Sequence, residues 1–577
     1  MRLNKVKSKN ATSYYIIRSV RRNGKNSSEI VRKLGTEESI RDTYGVDDVD
    51  AWANEQLRIM NEEEAAKDHN VLVSFNTSSV IDADKRLSFN VGYLFLQQIY
   101  YKLGLPSICK KIKKDSSFEY DLNSILSRLI YGRILFPSSK LSCYEQSQGL
   151  MEQPDFELHH VYRALSVLSE NSDLIQAELY KRSKKLIKRN TGVLFYDCTN
   201  YFFELEQESG LKQYGPSKEH RPNPIVQMGM FMDGNGIPLA FNIFPGNQNE
   251  QPSMKPLEQK IIRDFGIEKL VVCTDAGLGS DDNRQFNDIG DRAFIVTQSL
   301  KKLKKDALES AMSDSNWRRV SDGEKVELSK FKAELEKYTR ELYYKEEPYG
   351  TKKVPGQIMY VTYSPKYALY QREVRSRQIE RAQKMVENRS KKKSYSNPND
   401  PSRFVKKTEV TKDGEAADQT FYELDYSRIE EESRFDGYYA VCTNLTEDTV
   451  QDVLKVSEGR WEIEESFRIM KSEFKARPVH LSREDRIRAH FLTCYFSLLI
   501  YRLLEKKLEE KYTVHETVRA LRKYRLLQIA GRGYIPEYTR TELTDALHNA
   551  FQFRTDTEIV PTSVMRKIIA DTKNRKK

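Results

Sequence analysis

Between residues 191 and 298, apolar runs and helical segments follow the order strand, strand, strand, helix, strand, helix, strand. The first three strands come so close together that they are predicted to pair as antiparallel neighbours, because parallel pairing needs a long crossover. The two later strands, residues 269–274 and 293–298, are apolar on both faces, as buried parallel strands are. The pattern therefore predicts a mixed α/β sheet in this part of the chain.

The chain before this sheet has a different periodicity. Residues 13–34 alternate around Asn23 and Gly24 and predict a hairpin with many basic residues, and an acidic helical connector follows at about 36–70. Residues 90–190 are predicted to be helical, because apolar side chains recur at helical spacing. The clearest stripe consists of Leu122, Ile125, Leu126, Leu129 and Ile130.

The pattern also breaks after residue 300. Residues 300–436 are too many for a connecting loop and predict an insert with its own structure. The insert contains a β-rich part near 355–363, a basic helix over 366–393 and a disordered-looking stretch at 394–402. A strand at 435–444 resumes the core, and a long helix over 485–510 precedes a helical, basic tail.

Composition narrows the class of protein. The chain has 577 residues with 95 Lys and Arg against 84 Asp and Glu, so its net charge is +11 and a polyanionic partner such as nucleic acid is expected. Its six cysteines are scattered, with no Cys-x2-Cys pair, and predict neither a zinc site nor a disulfide framework. The N-terminus lacks the apolar stretch of a signal peptide, and the apolar segment 491–500 is too short to span a bilayer. We therefore expect a cytoplasmic protein that does not associate with membranes.

Three acidic residues have local settings that suit metal chemistry. Asp197 lies inside a strand-like run, Asp275 ends a second one, and Glu464 lies in a helical stretch. Carboxylates on two strands and a facing helix can hold hard divalent cations through oxygen ligands. Two such ions suit in-line displacement at phosphorus. We therefore predict that these three residues are the catalytic residues and metal ligands.

The helical setting of Glu464 supports this assignment. At about 100° per residue, Arg460, Glu464 and Lys471 fall within roughly 40° of one another, beside an apolar stripe that can pack. In the alternative interpretation, Glu464 is a surface residue paired at i, i+4 with Arg460. The neighbouring acids Glu462 and Glu465 point in other directions and do not match the spacing.

Several motifs, taken in order, resemble bacterial insertion-sequence transposases of the DDE type. Besides the three acids, they include residues 214–224, the turn at 233–236 and the strand that follows it. One branch of that family carries a Tyr-x2-Arg-x3-Glu-x6-Lys signature around its third carboxylate. Arg460, Glu464 and Lys471 match its spacing, whereas Ser457 stands at the Tyr position.

The resemblance implies an α/β fold, a ribonuclease-H-like mixed-sheet core with a large β-rich insert, preceded by a helical domain. It implies two Mg²⁺ ions, with Mn²⁺ as a substitute, on the three acids. The implied partner is double-stranded DNA, both terminal inverted repeats and target, bound by a homodimer or higher multimer. The expected domains are an N-terminal hairpin and connector (1–75), a helical DNA-binding domain (76–190), a catalytic core (191–300 and 437–510), an insert (301–436) and a helical, basic C-terminal region (511–577).

Five further residues are candidate DNA contacts. Arg460 and Lys471 would hold phosphates of one strand, and Lys218 and Arg221 would hold phosphates near the metals. Related transposases stack a flipped base on an aromatic residue of the insert, and Trp317 is the only tryptophan in this insert. Trp317 can equally be a core residue of a small β domain.

Two other functions remain open at this stage. One is a structure-specific DNA nuclease of the same fold, such as a junction-resolving enzyme, although such an enzyme needs neither the long insert nor the basic flanks. The other is a catalytically inactive descendant that binds DNA as a regulator, although all three acidic positions are intact. A transposase acting on DNA in the cytoplasm, associated with the nucleoid, is the interpretation that we favour.

Overall fold

The computed structural model describes residues 1–8, 11–22, 25–66, 71, 73–388, 399–410 and 419–574. The chain divides into two compact units, Met1–Ala83 and Asp84–Lys577. Residues 394–398 of the predicted disordered-looking stretch lie outside the described residues, as do the end of the predicted basic helix and the last three residues of the chain.

The first unit is a three-stranded antiparallel sheet with two helices. Its elements are β1 (Arg2–Lys7), β2 (Thr12–Arg22), β3 (Lys25–Thr36), α1 (Glu37–Tyr44) and α2 (Val49–Ala66). The small core contains Tyr14, Ile40, Val49 and Ala53. The predicted hairpin and helical connector are confirmed, although the turn at Asn23 and Gly24 lies outside the described residues.

The second unit contains sixteen further strands and eighteen further helices among its described residues. The strands are β4 (Ser88–Asn90), β5 (Val193–Phe202), β6 (Ile225–Asp233), β7 (Pro238–Pro245), β8 (Leu270–Thr274), β9 (Arg292–Thr297), β10 (Trp317–Arg319), β11 (Lys325–Val326), β12 (Tyr343–Tyr349), β13 (Gln357–Tyr363), β14 (Val405–Val410), β15 (Gln419–Leu424), β16 (Tyr438–Thr443), β17 (Arg525–Ile529), β18 (Gly533–Pro536) and β19 (Val560–Pro561). The helices are α3 (Tyr93–Lys102), α4 (Leu105–Lys114), α5 (Leu122–Leu135), α6 (Lys140–Ser147), α7 (Leu158–Glu170), α8 (Ser172–Ser183), α9 (Met254–Lys260), α10 (Asp281–Phe286), α11 (Lys305–Met312), α12 (Leu328–Ala333), α13 (Pro365–Glu387), α14 (Tyr426–Ser433), α15 (Val450–Glu458), α16 (Trp461–Ser472), α17 (Glu484–Lys507), α18 (Val514–Lys523), α19 (Glu542–Phe551) and α20 (Thr562–Thr572).

A large mixed sheet is the centre of this unit. Its strands lie in the order β11-β10-β12-β13-β16-β9-β8-β5-β6-β7. The predicted antiparallel run is confirmed, because β5 pairs with β6 and β6 with β7 in that sense. The predicted parallel strands are also confirmed, because β8 lies parallel to β5 on one side and to β9 on the other. The fold is therefore mixed α/β, as the pattern predicts.

The predicted insert has two parts that differ in what they join. Strands β10–β13 extend the large sheet, because β13 pairs with β16, the strand that returns to the core. They therefore form no separate β domain, which the sequence pattern alone does not reveal. The long helix α13 packs instead on the small sheet β14–β15, around Ala382, Phe404 and Val405.

The helices of residues 93–183 pack on a helix from the far end of the chain. Helix α17 contacts α3, α5 and α7, and it is buried on almost every face. Within the described residues it is also the one helix long and apolar enough to cross a membrane by length and composition, but 94% of its most apolar window is buried inside the protein. A helix that is apolar all round fits such a core position.

Candidate active site

The first two predicted acids are brought together by strand register. In the parallel pair β5–β8, Phe195 lies opposite Cys273. Two residues further along come Asp197, still on β5, and Asp275, the first residue after β8. The two residues therefore stand side by side along neighbouring strands, whose usual spacing is about 4.8 Å. Because side chains at one level of a sheet share a face, both carboxylates point the same way.

Backbone groups orient both carboxylates. The Cys198 N–H donates to Asp197 Oδ1 at 2.7 Å. The Gly277 and Leu278 N–H groups donate to Asp275 Oδ1 at 3.0 and 3.1 Å, as the chain turns away from β8. Among the described residues, Oδ2 of each carboxylate accepts no hydrogen bond, so one oxygen of each acid is left available.

The pKa of Asp197 reflects this crowding. Burial and the nearby Asp275 carboxylate raise it to about 6, although Lys218 and Arg460 oppose the rise. A neighbouring carboxylate disfavours the charged form of Asp197 unless a cation lies between the two groups. The pair is therefore an arrangement of oxygen ligands whose charge is only partly compensated by the protein.

The helix that carries the third acid presents its arginine to this pair. Burial lowers the pKa of Arg460, but the charges of Glu464, Asp197 and Asp275 outweigh that effect and raise it. Arg460 caps the start of α16, and its Nη1 lies 3.0 Å from Glu464 Oε1. The guanidinium is therefore close to all three predicted acids.

Glu464 does not join the two aspartates in this structure. Its side chain is 55% exposed and pairs with Arg460 at i, i+4, which is the contact expected from the alternative interpretation. No group of three His, Cys, Asp or Glu residues lies close enough to hold a metal ion in the part of the chain that the structure describes. The structure thus assembles two of the three predicted ligands.

The other acids of α16 have partners elsewhere. Glu462 lies 3.5 Å from the buried Arg502 of α17, and Glu465 pairs with Arg468 at 2.8 Å. The charges of Glu462 and Glu465 are therefore paired with residues of α17 and α16.

Lys218 reaches the same carboxylates from the loop between β5 and β6. Its Nζ donates to the Cys198 carbonyl and lies 3.2 Å from Glu250. Burial lowers its pKa, yet Asp197 and Glu250 more than compensate, and the net shift is upward. Lys218 is therefore a cation beside Asp197.

Lys471, at the other end of α16, has a partner that the sequence does not suggest. Its Nζ lies 3.7 Å from Glu219 and 5.5 Å from the centre of the Tyr201 ring. Burial and the neighbouring Lys218 lower its pKa to about 8, against the opposing charge of Asp197. Glu219 comes from the loop between β5 and β6, so the helical spacing of α16 does not predict this pair.

Glu219 is the site residue that sequence reasoning missed. Its carboxylate also contacts Arg477 and lies 3.8 Å from Arg221. Both guanidinium groups lie over the Phe202 ring, at 4.2 Å for Arg221 and 5.6 Å for Arg477. The chain places Arg477 there because the Val479 N–H donates to the Phe202 carbonyl at 3.0 Å. Proximity of Glu219 to Lys218 and Arg221 in the sequence was the only available signal.

A comparison with protein families identifies the chain. The model described as Transposase DDE domain matches residues 201–500, which is more than half of the 577 residues. The chain belongs to the transposase DDE domain family. The match contains Asp275 and Glu464. Asp197 lies four residues before its first residue, Tyr201, and both are on β5.

Two other comparisons add little to this family assignment. A search among curated proteins finds no match. Among solved structures, the piggyBac transposase synaptic complex with hairpin DNA is similar at 9% identity and a TM-score of 0.35, over 83% of this chain and 84% of that chain. That likeness is too distant to support any statement about the site of this transposase-family chain.

Trp317 is not available for base stacking in this DDE-family structure. Its side chain is fully buried against Tyr438, and its Nε1 donates to the Ser313 carbonyl at 2.8 Å. The packing therefore favours the core interpretation and corrects its inclusion among the DNA contacts. That core belongs to the large sheet, since Trp317 lies on β10.

A tyrosine hydroxyl lies near the signature position that holds serine in this DDE-family chain. Ser457 Oγ is 3.5 Å from the hydroxyl of Tyr439 on β16, which also bonds Thr297 Oγ1 at 2.7 Å. Tyr439 also lies close to Arg460. The strand thus supplies a phenol beside Arg460 where the helix has only a small side chain.

Proposed function

We propose that the protein is an active transposase with a ribonuclease-H-like core, which cuts the DNA ends of its mobile element and joins them to target DNA. The observation that carries the proposal is the side-by-side placement of Asp197 and Asp275 on parallel strands, with Arg460 of the Glu464 helix beside them. The family assignment supports this class of reaction, and the geometry supports this choice of residues.

The donor set fits divalent metal ions. Asp197 and Asp275 each keep one carboxylate oxygen without a hydrogen-bond partner among the described residues, and hard cations such as Mg²⁺ and Mn²⁺ prefer such ligands. Glu464 would complete the set after leaving Arg460, because its own side chain is 55% exposed and has room to reorient. When bound, two such ions polarise the phosphate and activate the attacking oxygen.

The protein's own residues would position the DNA strand. Arg460, Lys218 and Lys471 surround the carboxylates and would neutralise phosphates next to the scissile bond, with Arg221 further out. We propose double-stranded DNA, in the form of terminal inverted repeats and target, as the substrate of a homodimer or higher multimer. Binding should weaken linearly with salt on logarithmic axes, because phosphate contacts dominate.

Cleavage of the element's own ends tests the proposal. Purified protein with Mg²⁺ should nick a duplex containing the DNA that flanks the coding frame, and Asp197→Asn, Asp275→Asn and Glu464→Gln should each abolish nicking. Asp282→Asn and Glu462→Gln remove neighbouring acids and should retain it. Glu464→Gln cleaving like Glu462→Gln would show that the third ligand is wrongly assigned.

The reaction products distinguish the transposase from a nuclease of the same fold. A transposase should join a pre-cut end to a target plasmid in the presence of Mg²⁺. Cutting of branched DNA without any joining would favour the junction-resolving nuclease, and binding without cutting would favour the inactive descendant.

A further inference from the structure

A cationic cavity lies just beyond the C-terminal end of α16. It has a volume of about 330 Å³, and its wall comes from two separate parts of the chain, residues 133–162 and 475–490. Arg133 closes one side, donating to the Phe474 and Lys475 carbonyls at 3.1 and 3.2 Å. A cavity of this size falls within the range of small-ligand sites.

The wall of the cavity contains cations and no acid among the described residues. Its basic members are Arg133, Lys140, Lys475, Arg477, His480 and His490. Burial and the nearby charges of Arg133 and Lys140 lower the pKa of His490 well below its usual range, so its ring is uncharged and the cations of the wall are the lysines and arginines. The nearest carboxylates are at the rim, where Glu204 lies 3.6 Å from His480 and Glu219 contacts Arg477. Such a wall offers positive charge to an anionic ligand and no acidic partner to a cationic one.

Lys140 is the group that most needs a ligand. Its residue is only 5% exposed, and its ammonium group has neither an acidic partner nor a hydrogen bond in the part of the chain that the structure describes. Burial and the charge of Arg133 lower its pKa to about 8. His490 is equally buried, and its Nε2 is engaged by the Ala476 carbonyl at 3.0 Å. A buried cation without a counter-ion costs free energy, so its retention calls for an anionic ligand.

We propose that this cavity binds a phosphate group of the DNA backbone, with Lys140 as its innermost ligand and Arg477 at its mouth. The proposal rests on the proposed function, because that function supplies the polyanion. A series of neighbouring charges connects the mouth of the cavity to the aspartates. Arg477 contacts Glu219, Glu219 contacts Lys471, and Asp197 acts on the pKa of Lys471.

Lys140→Met tests the site, because it should separate binding from stability. Removing an unpaired buried charge should leave the melting temperature of the free protein unchanged or raise it, whereas a structural lysine would lower it. Affinity for a short duplex should fall at least tenfold, and the thermal stabilisation by pyrophosphate should disappear. The matched control is Lys269→Met. It removes one exposed lysine directly before β8, at the end of the strand away from Asp275, and should change neither the affinity for duplex nor the stabilisation by pyrophosphate.

Several results would overturn the assignment. If Lys140→Met binds duplex and pyrophosphate as Lys269→Met does, the cavity binds no phosphate. If Lys140→Met melts at a lower temperature but keeps its affinity, Lys140 has a structural role. Loss of pyrophosphate binding alone would assign the cavity to a free phosphate compound and reject the DNA backbone. If Lys140→Met does not fold, Arg477→Gln at the half-exposed mouth should still weaken both probes, and unchanged binding there would reject the site.

The outcome can be separated from that of the proposed function. Binding that depends on Lys140 in a protein that never cuts or joins DNA would leave the cavity assignment standing and reject the transposase proposal. If Lys140→Met cuts and joins DNA normally and binds it with unchanged affinity, the cavity assignment is rejected and the transposase proposal stands.

Discussion

The two sides of the candidate site are constructed in different ways. On the sheet side, Asp197 and Asp275 are set by the register of two parallel strands and oriented by backbone N–H groups. On the helix side, Glu464 and Lys471 are flexible side chains whose charges are held by Arg460 and Glu219. The sheet side is preorganised for its chemistry, whereas the helix side must exchange ion pairs within the protein for contacts with its ligands.

This difference suggests where the specificity of the reaction is controlled. Preorganised carboxylates lose little free energy in rearrangement when they act. The ion pair between Lys471 and Glu219 is largely enclosed, with 16% and 21% of the two side chains exposed, so contacts with DNA phosphates have to compensate for breaking it. The helix side can therefore respond to bound DNA while the sheet side stays as it is.

The largest expected effect comes from changing one ligand on the sheet side. Asp275→Cys should lower Mg²⁺-supported cleavage by roughly a hundredfold to a thousandfold, because a preorganised group is lost at the reacting centre. Mn²⁺ should restore part of the activity, since it accepts a sulfur ligand more readily than the harder Mg²⁺ does. Asp275→Ala is the control and should not recover. Equal recovery of both variants in a gel assay would reject direct ligation by residue 275.

The second effect concerns what anchors the helix side. Arg502 of α17 is buried, donating to Ser466 at 2.9 Å and to Glu505 at 2.6 Å, and it pairs with Glu462. Arg502→Met should lower the free energy of unfolding by about 3 kcal/mol, because it leaves half-buried carboxylates without a partner. Lys506→Met removes a more exposed pair one turn away and should cost far less. Denaturant melts that shift equally for the two variants would contradict an anchoring role.

A smaller effect is expected for the cations of the helix side. Arg460→Ala and Lys471→Ala should each lower strand cleavage at least tenfold, a loss of about 1.4 kcal/mol of transition-state stabilisation. Their melting temperatures should move little, since neither residue anchors the helix. Arg468→Ala, on the outer face of α16, should cleave normally. Variants that melt several degrees lower but keep full activity per folded molecule would show that these residues are structural partners.

The smallest effect is expected for Glu219, whose carboxylate pairs with the cations of Lys471 and Arg477. Glu219→Gln should tighten duplex binding by about threefold to tenfold, because the ion pairs that DNA must replace are gone. Glu206→Gln gives the same gain of charge in the same loop and serves as the control. If both variants bind alike in a titration at fixed salt, Glu219 does not compete with phosphate, and the helix side needs no exchange of partners.

The local elements were the most predictable part of the fold. The three antiparallel strands, the two parallel strands and the long helix α17 follow from periods of two and 3.6 residues, which any neighbour must respect. The placement of β10–β13 did not follow from the pattern, because an alternating strand pairs equally well in a small separate sheet or at the edge of a large one. The role of Trp317, as a base-stacking residue or a core residue, was ambiguous because it depends on the placement of β10.

The sequence by itself singled out the candidate residues for the chemistry of this protein. Asp197 and Asp275 end up side by side because each lies in a strand whose apolar faces require burial, and Glu464 shares one face of a helix with Arg460 because their spacing is one turn. Only the tertiary structure decided the long-range partners. Glu219 meets Lys471 and Arg477, and Lys140 meets Arg133 and His490, across chain separations that no local period encodes. Charge attraction is unspecific about sequence position, so packing selects which of many possible pairs form.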